Sequence, residues 1–430
     1  MLLPLQALKK IKGKNWPIVQ EYAESIRDGR KVACNELRQA VDRFFADIES
    51  DEYDFETKGP EFCIQIIEKT LCHQQGEKLD GTPLRGKPFL LEPFHKFIIY
   101  NLLGFKLKGT DVVRFYEALI FIPRKNIKTS FAASLAWALS LWYRRSGSKT
   151  YISAAALMQS LESFNFLDYN IRLMGEDEKH GGSIKIIDNN NEHSMDAELA
   201  DGSFFIRALA ANPDAQDSLN CNIAICDEIH AFTKPKQYNL FKEAMKAYTN
   251  KLLIGISTAG DNEQGFLGQR LQYCRKILDG TIKDEQYFIF ICCANPDEDG
   301  NIDYTNPVVH EMANPAYGVS IRPEEILNDS LQAQNDPQQR KDFFAKSLNV
   351  YTSAIKSYFN IDEFRRSDAK YNWTIDELAK LPIDWYGGAD LSKMHDLTAA
   401  ALFGNYNGVD IVVSHAWFPV VQAHVKADED

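Results

Sequence analysis

Residues 116–137, YEALIFIPRKNIKTSFAASLAW, constrain the fold more than any other stretch. An apolar run ends in Pro123-Arg124-Lys125, and Lys128-Thr129-Ser130 opens a second apolar run at helical spacing. A buried strand that turns sharply into a helix aims the helix's free N–H groups and positive dipole end at the turn, an arrangement that holds phosphate. Further along, Ile223-Ala224-Ile225-Cys226 ends in Asp227-Glu228, as if a second buried strand delivered two carboxylates to its tip. A nucleoside triphosphate needs N–H groups and a cation at its phosphates, a hydroxyl and a carboxylate on Mg²⁺, and a group that orients water; Lys128, Thr129, Asp227 and Glu228 can fill those roles. The two elements together imply a nucleotide-hydrolysing α/β domain. In the pattern G-x-x-x-x-G-K-[ST], however, Ile122 and Ile127 stand where the glycines belong. A left-handed conformation at Ile127 would cost about 1–2 kcal/mol. Taken alone, the loop is explained equally by an ordinary strand-turn-helix with a solvated lysine.

The surrounding pattern extends the fold. Strand-like and helical segments alternate: strand 117–123, helix 129–143, strand 149–154, helix 157–174, strand 222–226, helix 238–248, strand 251–257, helix 264–278 and strand 286–293. Such alternation implies a mostly parallel, doubly wound sheet whose carboxyl-end loops carry the site. Short runs at 183–187, 197–199 and 203–209 extend it in antiparallel sense. Residues 15–79 read as helices, with Val19, Tyr22, Ala23 and Ile26 on one face, and 92–103 reads as an amphipathic helix. Asp336-Pro337 and Thr374-Ile375-Asp376-Glu377 are helix-start signals. Runs at 384–390, 397–403 and 409–418 read as strands, the last two joined at Tyr406-Asn407-Gly408.

Composition narrows the classes. The eight cysteines form no C-x-x-C pair, and several sit in apolar runs, so they read as reduced core thiols. No apolar stretch reaches membrane-spanning length, which predicts a soluble, unexported protein. A net charge of −12 argues against a surface coated with phosphate contacts. Lys234, Lys236, Lys242, Lys246 and Lys251 could form a local basic track, although a solvated helix face explains them more simply.

Six motifs in order, LLEPFHKFIIYNLLGF (90–105), PRKNIKTS (123–130), CDEIHAF (226–232), ISTAG (256–260), ANPAYGVSI (313–321) and GGADLSKMHDLTA (387–399), resemble the large terminase subunits of tailed bacteriophages. The resemblance runs from about Tyr22 to about Pro419 and implies an ATP-driven motor that moves double-stranded DNA, joined to a ribonuclease-H-like nuclease. By it, Arg124, Lys125, Asn126, Lys128, Thr129 and Ser130 form the nucleotide-binding loop, and His95 stands where the family contacts adenine. Thr129 and Asp227 hold Mg²⁺, Glu228 is the catalytic glutamate with Arg124 as a charge-stabilising cation, and Ser257, Thr258, Ala259 and Gly260 couple hydrolysis to movement. Asp390 matches the first nuclease acid, which would hold Mg²⁺ or Mn²⁺. The implied division is a helical region 1–80, a P-loop ATPase domain 81–300, a helical linker 301–380 and the start of a nuclease domain at 381–430, truncated here. The implied partners are a portal protein and a small terminase subunit, with a homo-oligomer as working motor in the host cytoplasm and no membrane.

The chain also departs from the family: Ile127 replaces a glycine, and Phe94-His95 replaces Trp-Gln. A degenerate, non-hydrolysing remnant acting as a binding module is therefore the alternative. For Asp390, residue pattern alone favours a structural strand-end aspartate, and Asp396 and Asp410 read as turn and strand-edge charges. His230 follows Glu228 closely enough to tune it.

Overall fold

The computed structural model describes residues 11–210, 219–232, 235–298, 300–351, 373–391 and 398–417. Lys234, Asp396 and the acidic tail 428–430 lie outside the described residues. Contacts divide the chain into two compact units, Met1–Ile355 and Lys356–Asp430.

The first unit runs α1 (Trp16–Arg27), α2 (Asn35–Glu49), β1 (Tyr53–Phe55), α3 (Lys58–Thr70), α4 (Pro93–Gly104), β2 (Phe105–Leu107), β3 (Glu117–Phe121), α5 (Lys128–Trp142), β4 (Ser148–Ala154), α6 (Leu157–Met174), β5 (Lys185–Asp188), β6 (His193–Leu199), β7 (Gly202–Ala210), β8 (Ile223–Asp227), α7 (Lys236–Ala244), β9 (Leu252–Ser257), α8 (Phe266–Leu278), β10 (Tyr287–Ile291), α9 (Pro307–Ala313), α10 (Pro323–Asn335) and α11 (Pro337–Lys346). Eight strands form one sheet in the order β10-β3-β9-β8-β4-β7-β6-β5. Pairing is parallel from β10 to β7 and antiparallel for β6 and β5, as the sequence pattern implies. Every residue of β3, β8, β9 and β10 is buried, which is why these strands read as apolar runs. Because β10, β3, β9 and β8 are neighbours, the loops leaving their carboxyl ends converge on one edge.

The N-terminal helices share this core. Val19, Tyr22, Ala23 and Ile26 are the buried face of α1. The amphipathic expectation for 92–103 is corrected: Phe94–Gly104 are buried on all sides of α4, because α1, α3 and β10 pack around it. Lys96 Nζ donates to Asn15 Oδ1 at 2.8 Å and lies 2.9 Å from Glu68 Oε1. Asp336 caps α11, accepting from Gln338 N at 2.9 Å, with Pro337 in the first turn.

The basic track does not form a free surface. Lys242 pairs with Glu117, Lys246 lies beyond the end of α7 and pairs with Glu243, and Lys251 lies over the Tyr116 ring. Lys242 and Glu117 also line a groove of about 300 Å³ with Arg270, whose Nη1 is 3.1 Å from Glu117 Oε1. This groove sits at the amino ends of β3 and β10, and its charges neutralise one another.

In the second unit, α12 (Ile375–Leu378) is opened by Thr374, whose Oγ1 accepts from Glu377 N at 3.3 Å. Strands β11 (Tyr386–Asp390), β12 (Thr398–Tyr406) and β13 (Val409–Trp417) form an antiparallel sheet in that order. Asn407 and Gly408, with φ of 51° and 80°, make the two-residue hairpin turn expected between β12 and β13.

Candidate active site

The loop after β3 has the wrap that the sequence pattern anticipates. Ile127 precedes α5 at φ 60°, ψ 24°, in the left-handed region, and Lys125 has φ 66°. Glu228 (φ 51°) and Asn349 (φ 58°) share this conformation, so four of the five non-glycine residues with positive φ among the described residues gather around these loops. Strain of this kind collects where the surrounding structure imposes it for a purpose.

Lys128 opens α5 with its ammonium turned inward, 7% exposed. Its Nζ donates to Ile122 O at 3.1 Å, to Pro123 O at 3.2 Å and to Thr258 Oγ1, and lies 3.9 Å from Glu228 Oε1. Burial lowers its pKa, and Glu228 and then Asp227 oppose that shift. Thr129 and Ser130 follow, half-buried, in the first turn of α5, and α5 packs on β8. Arg124 and Lys125 are exposed. Arg124 is close enough to influence both Lys128 and Glu228.

At the tip of β8, Asp227 is 3% exposed, and burial, followed by the charge of Glu228, pushes its pKa up to about 7. A divalent cation would offset both causes. Glu228 behaves differently: burial works against its ionised form, but His230 and then Lys128 and Arg124 outweigh it, and its pKa is lowered. Two adjacent carboxylates are thus held in different states, one poised to meet a cation and one ready to accept from water.

The turn after β9 touches both sides of this pair. Thr258 Oγ1 donates to Ile122 O at 3.1 Å and meets Lys128. Ser257 Oγ donates to Thr258 O at 3.0 Å and accepts from His230 N at 3.1 Å. His230 Nδ1 is 3.1 Å from Ser257 Oγ and 3.1 Å from Glu228 Oε2, so the imidazole lies between the hydroxyl and the carboxylate. A Cβ on Gly260 would come 2.9 Å from His230 Cβ, which explains the glycine there. His230 is therefore the physical link between Glu228 and Ser257–Gly260, which sequence proximity had only suggested.

Two expected nucleotide contacts are placed elsewhere. Asn126 is fully buried, and its amide is spent on the loop's support: Nδ2 donates to Asn314 Oδ1 at 2.8 Å, and Oδ1 accepts from Ala316 N at 3.0 Å. His95 is 1% exposed, packed between Phe94 and Phe131 with ring centroids 3.9 and 4.3 Å away. Its Nδ1 accepts from Glu92 N at 3.2 Å, closing the start of α4, and burial pushes its pKa down to about 3. Both residues brace the loop and α5 from behind. Asn314, within the quoted motif 313–321, joins this support from the end of α9, whereas Asn349, beyond the end of α11, lies in no recognised motif and nothing in its local pattern signals its role.

Among the described residues, Cys34, Glu36 and Cys293 form the single buried cluster with metal-ligating side chains. Its carboxylate is already taken by Arg275 Nε at 2.8 Å and Asn295 Nδ2 at 2.9 Å, and the Cys34 thiol donates to Ile291 O at 3.1 Å. The Cys34 thiol and burial also push Cys293 well up. These are reduced packing thiols, as the sequence implied, and all eight cysteines are unpaired. In the second unit, Asp390 ends β11, exposed and opposite Ala399. No three-carboxylate group gathers there among the described residues. Asp410 accepts from Asn405 Nδ2 at 2.9 Å across the hairpin.

Comparison with known proteins agrees with this layout. The family model of the terminase large subunit ATPase domain matches residues 93–276, and that of the terminase large subunit endonuclease domain matches 281–429. The second match is longer than the 381–430 segment read as the start of a nuclease domain, and it also takes in β10 and α9–α11, which lie in the first compact unit. The large terminase subunit of Enterobacteria phage HK97 is 25% identical over 382 residues, covering 86% of this chain and 68% of that protein. Protein YmfN of Escherichia coli K12 is 29% identical over 154 residues, covering 36% of this chain and only 33% of its own length. The crystal structure of the HK97 large terminase has the same fold, with a TM-score of 0.52 and 21% identity over 86% of this chain and 70% of that one. The two family models together span 93–276 and 281–429, most of the sequence, and the chain belongs to the family of phage large terminase subunits.

Proposed function

We propose that this chain is the ATP-hydrolysing motor subunit that drives double-stranded viral DNA into a procapsid, with a metal-dependent nuclease region following the ATPase region. The observation that carries the reading is the convergence of Lys128, Asp227, Glu228 and the Ser257–Gly260 turn at one sheet edge. In this reading Lys128 leaves its carbonyl partners to meet phosphate oxygens, and the backbone of 124–129 surrounds them at the positive end of α5. Thr129 and Asp227 present the hard oxygen donors suited to Mg²⁺. Bound there, Mg²⁺ would neutralise charge between the phosphates. Glu228, kept ionised, orients the attacking water and accepts its proton, and Arg124 can fork onto phosphate oxygens.

The signal then passes from Glu228 to His230 and from His230 to Ser257. A decayed remnant is not favoured: the lysine, both acids and the coupling turn are all in place, and Ile127 adopts the wrap that a glycine would. Asp390 is proposed to hold a nuclease metal, Mg²⁺ or Mn²⁺, but with no companion acids among the described residues no two-metal step is derived. A portal protein, a small terminase subunit and a homo-oligomeric motor in the host cytoplasm complete the proposal. Among the described residues no helix is long and apolar enough to cross a membrane.

Steady-state phosphate release with Mg²⁺-ATP, with and without double-stranded DNA, tests the reading. The chain should turn over ATP, and Lys128→Ala should not. Equal release by both would overturn it. For the nuclease, Mn²⁺-dependent cleavage should be lost in Asp390→Asn.

A further inference from the structure

The segment 346–349, just beyond α11, reaches three of the loops that leave the carboxyl ends of the sheet. Lys346 O accepts from Arg124 N at 2.9 Å, in the loop after β3, and Leu348 O accepts from Ala294 N at 2.9 Å, beyond β10. Asn349 makes the remaining connections with its side chain: Oδ1 accepts from Ala259 N at 2.8 Å and Nδ2 donates to Cys292 O at 2.8 Å. It is 1% exposed, so neither backbone group has water to turn to. The left-handed conformation of Asn349 aims the amide at both, and asparagine tolerates that conformation at a helix end.

Ala259 belongs to the turn whose Ser257 holds His230 and whose Thr258 meets Lys128. A side chain that sets Ala259 N therefore sets the height of the whole turn against both reacting sides of the site. We infer that Asn349 is a positioning residue for hydrolysis: it holds the Ser257–Gly260 turn in register with Lys128 and the His230–Glu228 pair, so that turnover depends on it and nucleotide affinity does not. This rests on the ATPase reading above, and it adds a residue from outside every recognised motif. It also gives 346–349 a role that a passive linker lacks, because the segment reads the positions of the β3, β9 and β10 loops together.

Asn349→Gly is the direct test, since glycine keeps the left-handed backbone and removes only the amide. Expected is a fall in kcat of roughly tenfold or more with KM and Kd for Mg²⁺-ATP within about twofold of the parent. Asn349→Asp retains the acceptor for Ala259 N, and its second oxygen can donate to Cys292 O only when protonated, so the lost kcat should recover as pH falls. A merely structural residue would lower thermal stability without splitting kcat from KM, and would show no recovery with aspartate. If Asn349→Gly does not fold, Asn349→Ser, whose hydroxyl is too short to span both partners, carries the same expectation. A folded glycine or serine variant with parental kcat overturns the inference while leaving the ATPase reading intact. A parent chain without ATP turnover overturns the reading itself, and the inference with it.

Discussion

Ile127 offers a quantitative test of the phosphate loop, because the sign of an effect, and not only its size, follows from the backbone. The residue has φ 60° and ψ 24°, and its side chain packs partly against the main core. Ile127→Ala and Ile127→Gly both remove that packing, so the difference between them isolates the backbone. A non-glycine residue in the left-handed region carries about 1–2 kcal/mol of strain that alanine keeps and glycine sheds. Against this, glycine loses more chain entropy on folding, about 0.5–1 kcal/mol relative to alanine. Glycine should therefore win by roughly 0.8 kcal/mol, the difference of the two midpoints. At an ordinary helix position the order is reversed, with alanine the more stable by about 0.8–1 kcal/mol. Urea unfolding followed by tryptophan fluorescence measures both variants under one protocol. An alanine variant as stable as the glycine variant, or more so, would refute the left-handed loop and the phosphate wrap built on it.

His95 predicts a pH dependence. Burial holds its folded-state pKa near 3, below the ordinary histidine value, so the unfolded chain binds the extra proton first as pH falls. Its contribution to stability is complete above about pH 6.5 and is lost progressively toward pH 3, by up to about 1.36 kcal/mol per pH unit. His95→Gln, which can still accept from Glu92 N, should flatten the slope of unfolding free energy between pH 6 and pH 4 in denaturant titrations; an unchanged slope would remove His95 from the buried, neutral role. Gly260→Ala puts a methyl group 2.9 Å from His230 Cβ and should displace that ring, lowering kcat about tenfold, equivalent to roughly 1.4 kcal/mol in the barrier, with little change in ATP affinity. Parental turnover in Gly260→Ala would dissociate His230 from the reaction.

Much of the fold is legible because buried strands and covered helices leave different periods in the chain. β3, β8 and β9 are apolar along their middles with polar residues only at an end, and the turn residues Asn407 and Gly408 announce their hairpin without help from tertiary contacts. Lys128, the two acids and the Ser257–Gly260 turn are likewise legible, since each sits at or just beyond the end of a strand. What escapes is whatever depends on a distant partner. Asn126 reads as a ligand-facing residue in a polar loop, yet its partner Asn314 lies 188 positions away. Asn349 follows an unremarkable amphipathic helix, and Ala259, 90 positions earlier, gives it a use. His95 reads as a ligand contact by resemblance, but it packs between Phe94 and Phe131, and its Nδ1 accepts from Glu92 N at 3.2 Å. Lys242 reads as part of a basic track until its carboxylate, at the start of β3, is seen beside it.

The central claim is that Glu228, kept ionised beside His230 and Lys128, orients the water that attacks ATP. Glu228→Gln preserves the shape of the side chain and removes its charge, so it separates binding from chemistry. Paired isothermal titration with Mg²⁺-ATP and single-turnover phosphate release on the parent and the variant measure the two directly. The account predicts a Kd within about threefold of the parent and a hydrolysis rate reduced by roughly a hundredfold or more, the scale expected when a positioned general base is lost. A variant that hydrolyses ATP at the parental rate would contradict it.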